Sequence, residues 1–146
     1  MSSHRQRNRA KDIDLLIAYT DYVLKDRRSE DYLNNVILLY SLIENLVKWL
    51  VWAEANRRCN MNAEQAKILR KFYRNLTFYD ASRMALLTGI IDFDLCVQID
   101  KVRTERNDLV HQFRIYEHLS NPSMLRTKLE RLAGIANALL AMTRKP

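Results

Sequence analysis

Apolar residues along this chain recur at steps of three and four, not two, and the pattern divides into about five or six helical stretches. The first spans about residues 10–26, with Ile13, Leu16, Ile17 and positions 19–23 turned inward. Ser29, followed by the acidic pair Glu30 and Asp31, marks the start of a second, long helix reaching about residue 56. Between positions 36 and 51 it is apolar nearly all round, as the central helix of a bundle must be. Asn62 with Gln65 three residues on has the form of a capping box and opens a third helix. Thr77 with Asp80 opens a fourth that ends at Gly89. A fifth starts near Asp92 and runs to about residue 116. Asn121-Pro122 then supplies a cap and a first helical position for the last, whose apolar residues (Met124, Leu125, Leu129, Leu132, Ile135, Leu139, Leu140) suit either core or interface.

The fifth stretch departs from its own pattern. Leu95, Ile99, Val102, Arg106 and Leu109 recur at the spacing of one buried face, so Arg106 stands where a leucine is expected. Its neighbours Arg103, Thr104, Glu105 and Asn107 read as the solvated face. A guanidinium keeps its proton, and burying it without a partner costs several kcal/mol. A cleft, a subunit interface or an anionic ligand removes that penalty.

Composition narrows the class. The chain has 146 residues, 48% of them hydrophobic, enough for one domain over residues 11–146 behind a basic, flexible tail at 1–10. Two glycines and two prolines leave little turn chemistry, which favours a few long helices over a sheet. Cys59 and Cys96 lack metal-ligand spacing and read as reduced thiols of a cytoplasmic protein. Arg5, Arg7 and Arg9 are followed by Asp12 and Asp14 and not by an apolar core, so no secretory signal is read. The most apolar stretch contains Ser41, Glu44, Asn45 and Lys48, which fits a core helix and no membrane partner. The formal charge of +7 favours an anionic partner, nucleic acid first, although Arg27-Arg28, Arg57-Arg58 and Lys71 with Arg74 lie where helix ends also favour cations. There is no Gly-rich phosphate loop, H-E-x-x-H, C-x-x-C or G-x-S-x-G, which removes support for nucleotide hydrolases, zinc enzymes and serine hydrolases. Asp92, Asp94 and Asp100 read as a negative start to the fifth helix, not as metal ligands. Trp49, Trp52, Tyr32 and Tyr40 read as core or dimer packing, and His4 and His118 as exposed.

The segment Arg106-Asn107-Asp108-Leu109-Val110-His111 resembles the R-N-x-x-x-H motif of the HEPN superfamily. The run at 38–47, with Glu44 inside it, is similar to the long second helix of such domains, and residues 77–92 to the short helix and turn before the motif helix. The likeness covers roughly residues 11–144. It implies an all-α, single up-and-down bundle that forms a homodimer, bringing two motif helices together across a cleft. That arrangement also answers a geometric difficulty: residues five apart on a helix lie roughly 140° apart around the axis, so Arg106 and His111 share no face, whereas Asn107 and His111 do.

The resemblance further implies a metal-independent endoribonuclease without cofactor, of the kind that serves as a toxin or defence effector, with a nucleotidyltransferase-like antitoxin as a possible partner. In such an enzyme the 2′-hydroxyl of RNA attacks the adjacent phosphate. His111 would transfer protons, and Arg106 would clamp the phosphate and hold its growing charge. Asn107 would orient His111 or bind a phosphate oxygen, Arg103 would extend the basic groove, and Glu44 would fix Arg106 from the central helix. Each residue has a plainer reading: Arg106 in a structural ion pair with Glu44 or Asp108, His111 favoured by a helix end, Asn107 as a surface residue, Glu44 in an i,i+4 pair with Lys48. Two further readings of the whole stay open, a catalytically inactive HEPN-like module that binds RNA or protein, and a plain helical adaptor.

Overall fold

The chain is described here by a computed structural model covering residues 32–111 and 122–143, with side chains over 35–108 and 123–143. Within these residues the structure is all-helical, with five helices and no strand: α1 (Tyr32–Cys59), α2 (Ala63–Asn75), α3 (Phe78–Leu87), α4 (Phe93–His111) and α5 (Pro122–Thr143). The basic tail at 1–10, the helix expected at 10–26, the cap at Ser29, the motif helix past His111, and Asn121 all lie outside the described residues.

The local signals act where the sequence places them. Asn62 Oδ1 accepts from the Gln65 amide at 2.9 Å and Gln65 Oε1 from the Asn62 amide at 3.2 Å, completing the capping box of α2. Thr77 Oγ1 accepts from the Asp80 amide at 3.1 Å to start α3. Gly89, at φ +76°, turns the chain out of α3 in the left-handed region where a Cβ is disfavoured. Asp92 Oδ1 then accepts from the Leu95 amide at 2.8 Å and opens α4. α1 ends where Asn60 takes φ +41°, a conformation asparagine tolerates. In its last turns Arg57 and Arg58 both donate to Glu54, at 2.7 and 2.6 Å, and hold its carboxyl down at about 2.

Each of the other described helices packs against α1, and α5 does so most extensively. From α1, Val36, Leu39, Tyr40, Ile43, Leu46 and Val47 are buried at 0–1% exposure, and a single core runs from them to Tyr73, Phe78, Ala81, Ile99, Val102, Leu132 and Leu139. Trp49 and Trp52 pack at its edge. α5 therefore gives its leucines to the core. The stretch 35–59 is long and apolar enough to cross a membrane by length and composition alone, but 56% of an 18-residue apolar window within it is buried inside the bundle. Cys59 is exposed, Cys96 buried, and both are free thiols.

One polar network crosses this core. The hydroxyl of Tyr40, itself 1% exposed, donates to Glu105 Oε2 at 3.3 Å, and Arg131 of α5 donates to the same oxygen, so α1, α4 and α5 meet at one carboxylate. Glu105 was expected on the solvated face. It lies half-buried instead, because α4 is contacted by α1, α3 and α5 and its covered arc is wider than one apolar stripe. Burial first, and then the Glu105 carboxylate, push the Tyr40 phenol up. A phenol whose proton is held more tightly in the folded state contributes stability that is complete below its unfolded pKa of about 10 and is lost as pH rises above it. The unfolding free energy from urea titrations is therefore expected to fall above pH ~10 by up to about 1.4 kcal/mol per pH unit from this group, and Tyr40→Phe should flatten that decline. An equal alkaline slope in wild type and Tyr40→Phe would remove Tyr40 from the explanation.

Candidate functional site

The motif lies on α4, which is anchored at its start by Asp92 and along its length by Leu95, Cys96, Ile99 and Val102, all buried. One turn past Val102 the stripe reaches Arg106 and the rim of the bundle. Its side chain retains 36% exposure, and Nη1 donates to Glu44 Oε2 of α1 at 2.6 Å. Glu44 was expected to fix Arg106 or to pair with Lys48, and it does both, since Lys48 Nζ lies 3.3 Å from its other oxygen. Among the described residues Arg106 pairs with Glu44 and not with Asp108, the other carboxylate considered. One carboxylate thus faces two cations, and the group carries a net charge of +1 at the point where α4 emerges from the core. A structural pair would be neutral at that point. This one leaves an excess positive charge with access to solvent, which suits an anion.

Asn107, the next residue, is exposed. Arg103, one turn before Arg106, is half-buried, contrary to its expected place on the solvated face. Its guanidinium carbon lies 5.2 Å from the centre of the Tyr79 ring of α3, and its Nε is buried without a hydrogen-bond acceptor among the described residues. His111 is the last described residue of α4, and its side chain lies outside the described residues. Glu44, Arg106 and Lys48 therefore form one cluster, with Arg103 and Asn107 on the adjoining turns of α4. The chain matches no known protein-family model, no curated protein and no solved structure.

Sequence reasoning missed the link between α3 and α4. Arg83 donates to both oxygens of Asp100, at 3.2 and 2.8 Å, and Nη1 also approaches Cys96 Sγ at 3.0 Å. Asp100 was expected in the negative start of α4, but it lies two turns further on and is taken by this pair. The hydrogen bonds it donates to Asp100 raise the Arg83 guanidinium still further above its usual range. Steps of eight residues, Asp92 to Asp100, carry no helix-start signal, so the long-range partner was not legible. Among the described residues no three histidine, cysteine or acidic side chains gather as metal ligands would.

The Glu44–Arg106 contact has a measurable character. With both side chains partly open to solvent, the pair is screened, and Glu44→Gln is expected to lower stability by no more than about 1 kcal/mol in urea unfolding. A loss of about 3 kcal/mol or more would mark a buried structural ion pair and weaken the case for a ligand site.

Proposed function

We propose that the chain is a HEPN-type domain acting as a metal-independent endoribonuclease on RNA, working as a homodimer in the cytoplasm. The observation that carries the reading is the arginine of the R-N-x-x-x-H segment, held by Glu44 at the solvent edge of α4 in a cluster of net charge +1. Arg106 is thereby oriented without being neutralised. A phosphodiester seated there would receive a charge-assisted hydrogen bond from Arg106, and Asn107 on the next position offers a neutral donor. His111, one turn beyond Asn107, is the group able to accept the 2′-hydroxyl proton or deliver one to the 5′-oxygen leaving group. The bond formed joins O2′ to phosphorus, the bond broken frees the 5′-oxygen, and the products are a 2′,3′-cyclic phosphate and a 5′-hydroxyl. A second protomer would bring a second motif helix to the same groove and remove the need for Arg106 and His111 to share one helix face. A role as toxin or defence effector, with a nucleotidyltransferase-like antitoxin, follows from the same resemblance.

The test compares an RNA strand with the same sequence lacking every 2′-hydroxyl. Cleavage of the ribo strand alone supports attack by the 2′-oxygen, and equal cleavage of both would overturn it. A second reading, a catalytically inactive HEPN-like binding module, draws on the Glu44–Arg106 pair as well, since that contact steadies α4 on α1 whether or not catalysis occurs. It predicts RNA binding that weakens with salt and no cleavage of either strand.

A further inference from the structure

Tyr79 stands exposed beside the motif helix with two arginines at its ring. It lies in the first turn of α3, where the Thr77 cap and its buried neighbour Phe78 fix the backbone. Two guanidinium groups lie against its ring, Arg83 at 4.5 Å and Arg103 at 5.2 Å, yet the residue remains 45% exposed. The two arginines differ in their electrostatic state. Arg83 is bound through both nitrogens to Asp100 and is a fixed, neutralised support for the ring. Arg103 has no carboxylate partner among the described residues, and its buried Nε has no acceptor there. A half-buried cation with neither carboxylate nor full hydration is costly until an anion arrives.

We propose that Tyr79 and Arg103 form a subsite for an unpaired nucleotide of the RNA strand whose phosphate sits at Arg106, with the base stacked on Tyr79 and its phosphate on Arg103. The proposal rests on the RNA-binding reading above and adds to it a recognised neighbour. Arg103 precedes Arg106 by about 4.5 Å and His111 by about 12 Å along the helix axis, so a single strand following α4 would meet both places with adjoining nucleotides. Arg103 and Asn107 are four residues apart and share a face of α4, which gives that strand a continuous path. A paired base has its faces covered by its stacked neighbours, so the subsite selects single-stranded RNA, as aromatic platforms do elsewhere.

The test uses 2′-O-methyl oligouridylates, which cannot be cleaved, and so separates binding from catalysis. Wild type should bind the hexamer more tightly than the dinucleotide, on the order of ten-fold. Tyr79→Ala should remove most of that difference while leaving the dinucleotide unchanged, and Tyr79→Phe, which keeps the ring, should restore it. In the wild type, one abasic position within the hexamer should reproduce the Tyr79→Ala loss, a response that a purely structural role for Tyr79 would not give. Tyr79→Ala weakening both ligands equally, or not at all, would overturn the subsite. Absence of cleavage of ordinary RNA alongside the expected hexamer pattern would instead count against the ribonuclease and leave the subsite supported.

Discussion

His111→Ala is expected to slow RNA cleavage by about 10²–10⁴-fold, the usual contribution of a positioned proton-transfer group, while leaving folding and RNA affinity close to wild type. His111 closes α4 at its far end from Asp92, and circular dichroism of the variant reads whether the fold is kept. The rate should also fall on either side of an optimum near neutrality, because imidazole must be able both to take and to give a proton. Initial rates across pH, with circular dichroism and salt-dependent RNA binding as controls, check each part. A His111→Ala protein that cleaves at the wild-type rate would remove the residue from the chemistry.

The second large effect belongs to Arg106. Arg106→Ala is expected to lower kcat by about 10²–10³-fold, as loss of a preorganised donor to a developing oxyanion does. Arg106→Lys should recover little, because an ammonium offers a point charge in place of a planar fork aimed at both Glu44 and a phosphate. The fold should survive either change. Glu44 keeps Lys48 at 3.3 Å, so its carboxylate is not left without a partner. Stopped turnover with an unchanged urea midpoint fits this account. An unfolded Arg106→Ala protein would mean that the pair with Glu44 chiefly holds α4 on α1.

The helices were legible because their signals are local. Asn62 with Gln65, Thr77, Asp92 and Gly89 act within one turn of themselves, and each does in the structure what its residue type dictates. Arg106 was legible for a related reason: a charge in an apolar stripe contradicts its neighbours at fixed spacing. The tertiary partners divide more unevenly. Glu44 could be named because it is an acid inside the apolar central helix, and Arg106 meets it across 62 positions of sequence. Arg83 with Asp100 and Tyr40 with Glu105 and Arg131 could not be, since each residue is ordinary in its own helix and becomes a partner only once α3, α4 and α5 are laid against α1. Arg103 and Glu105 were read as solvated for the same reason. Their polar type described the residue, and the packing of three helices around α4 decided its surroundings.

The central claim is transesterification at His111 without a metal, and it is tested most directly by incubating purified protein with total cellular RNA in EDTA, wild type beside His111→Ala, and identifying the product ends. The account predicts 2′,3′-cyclic phosphate and 5′-hydroxyl ends from the wild type, and almost none from the variant. No cleavage by a folded, dimeric wild-type protein that still binds RNA, or identical cleavage by both, would contradict it.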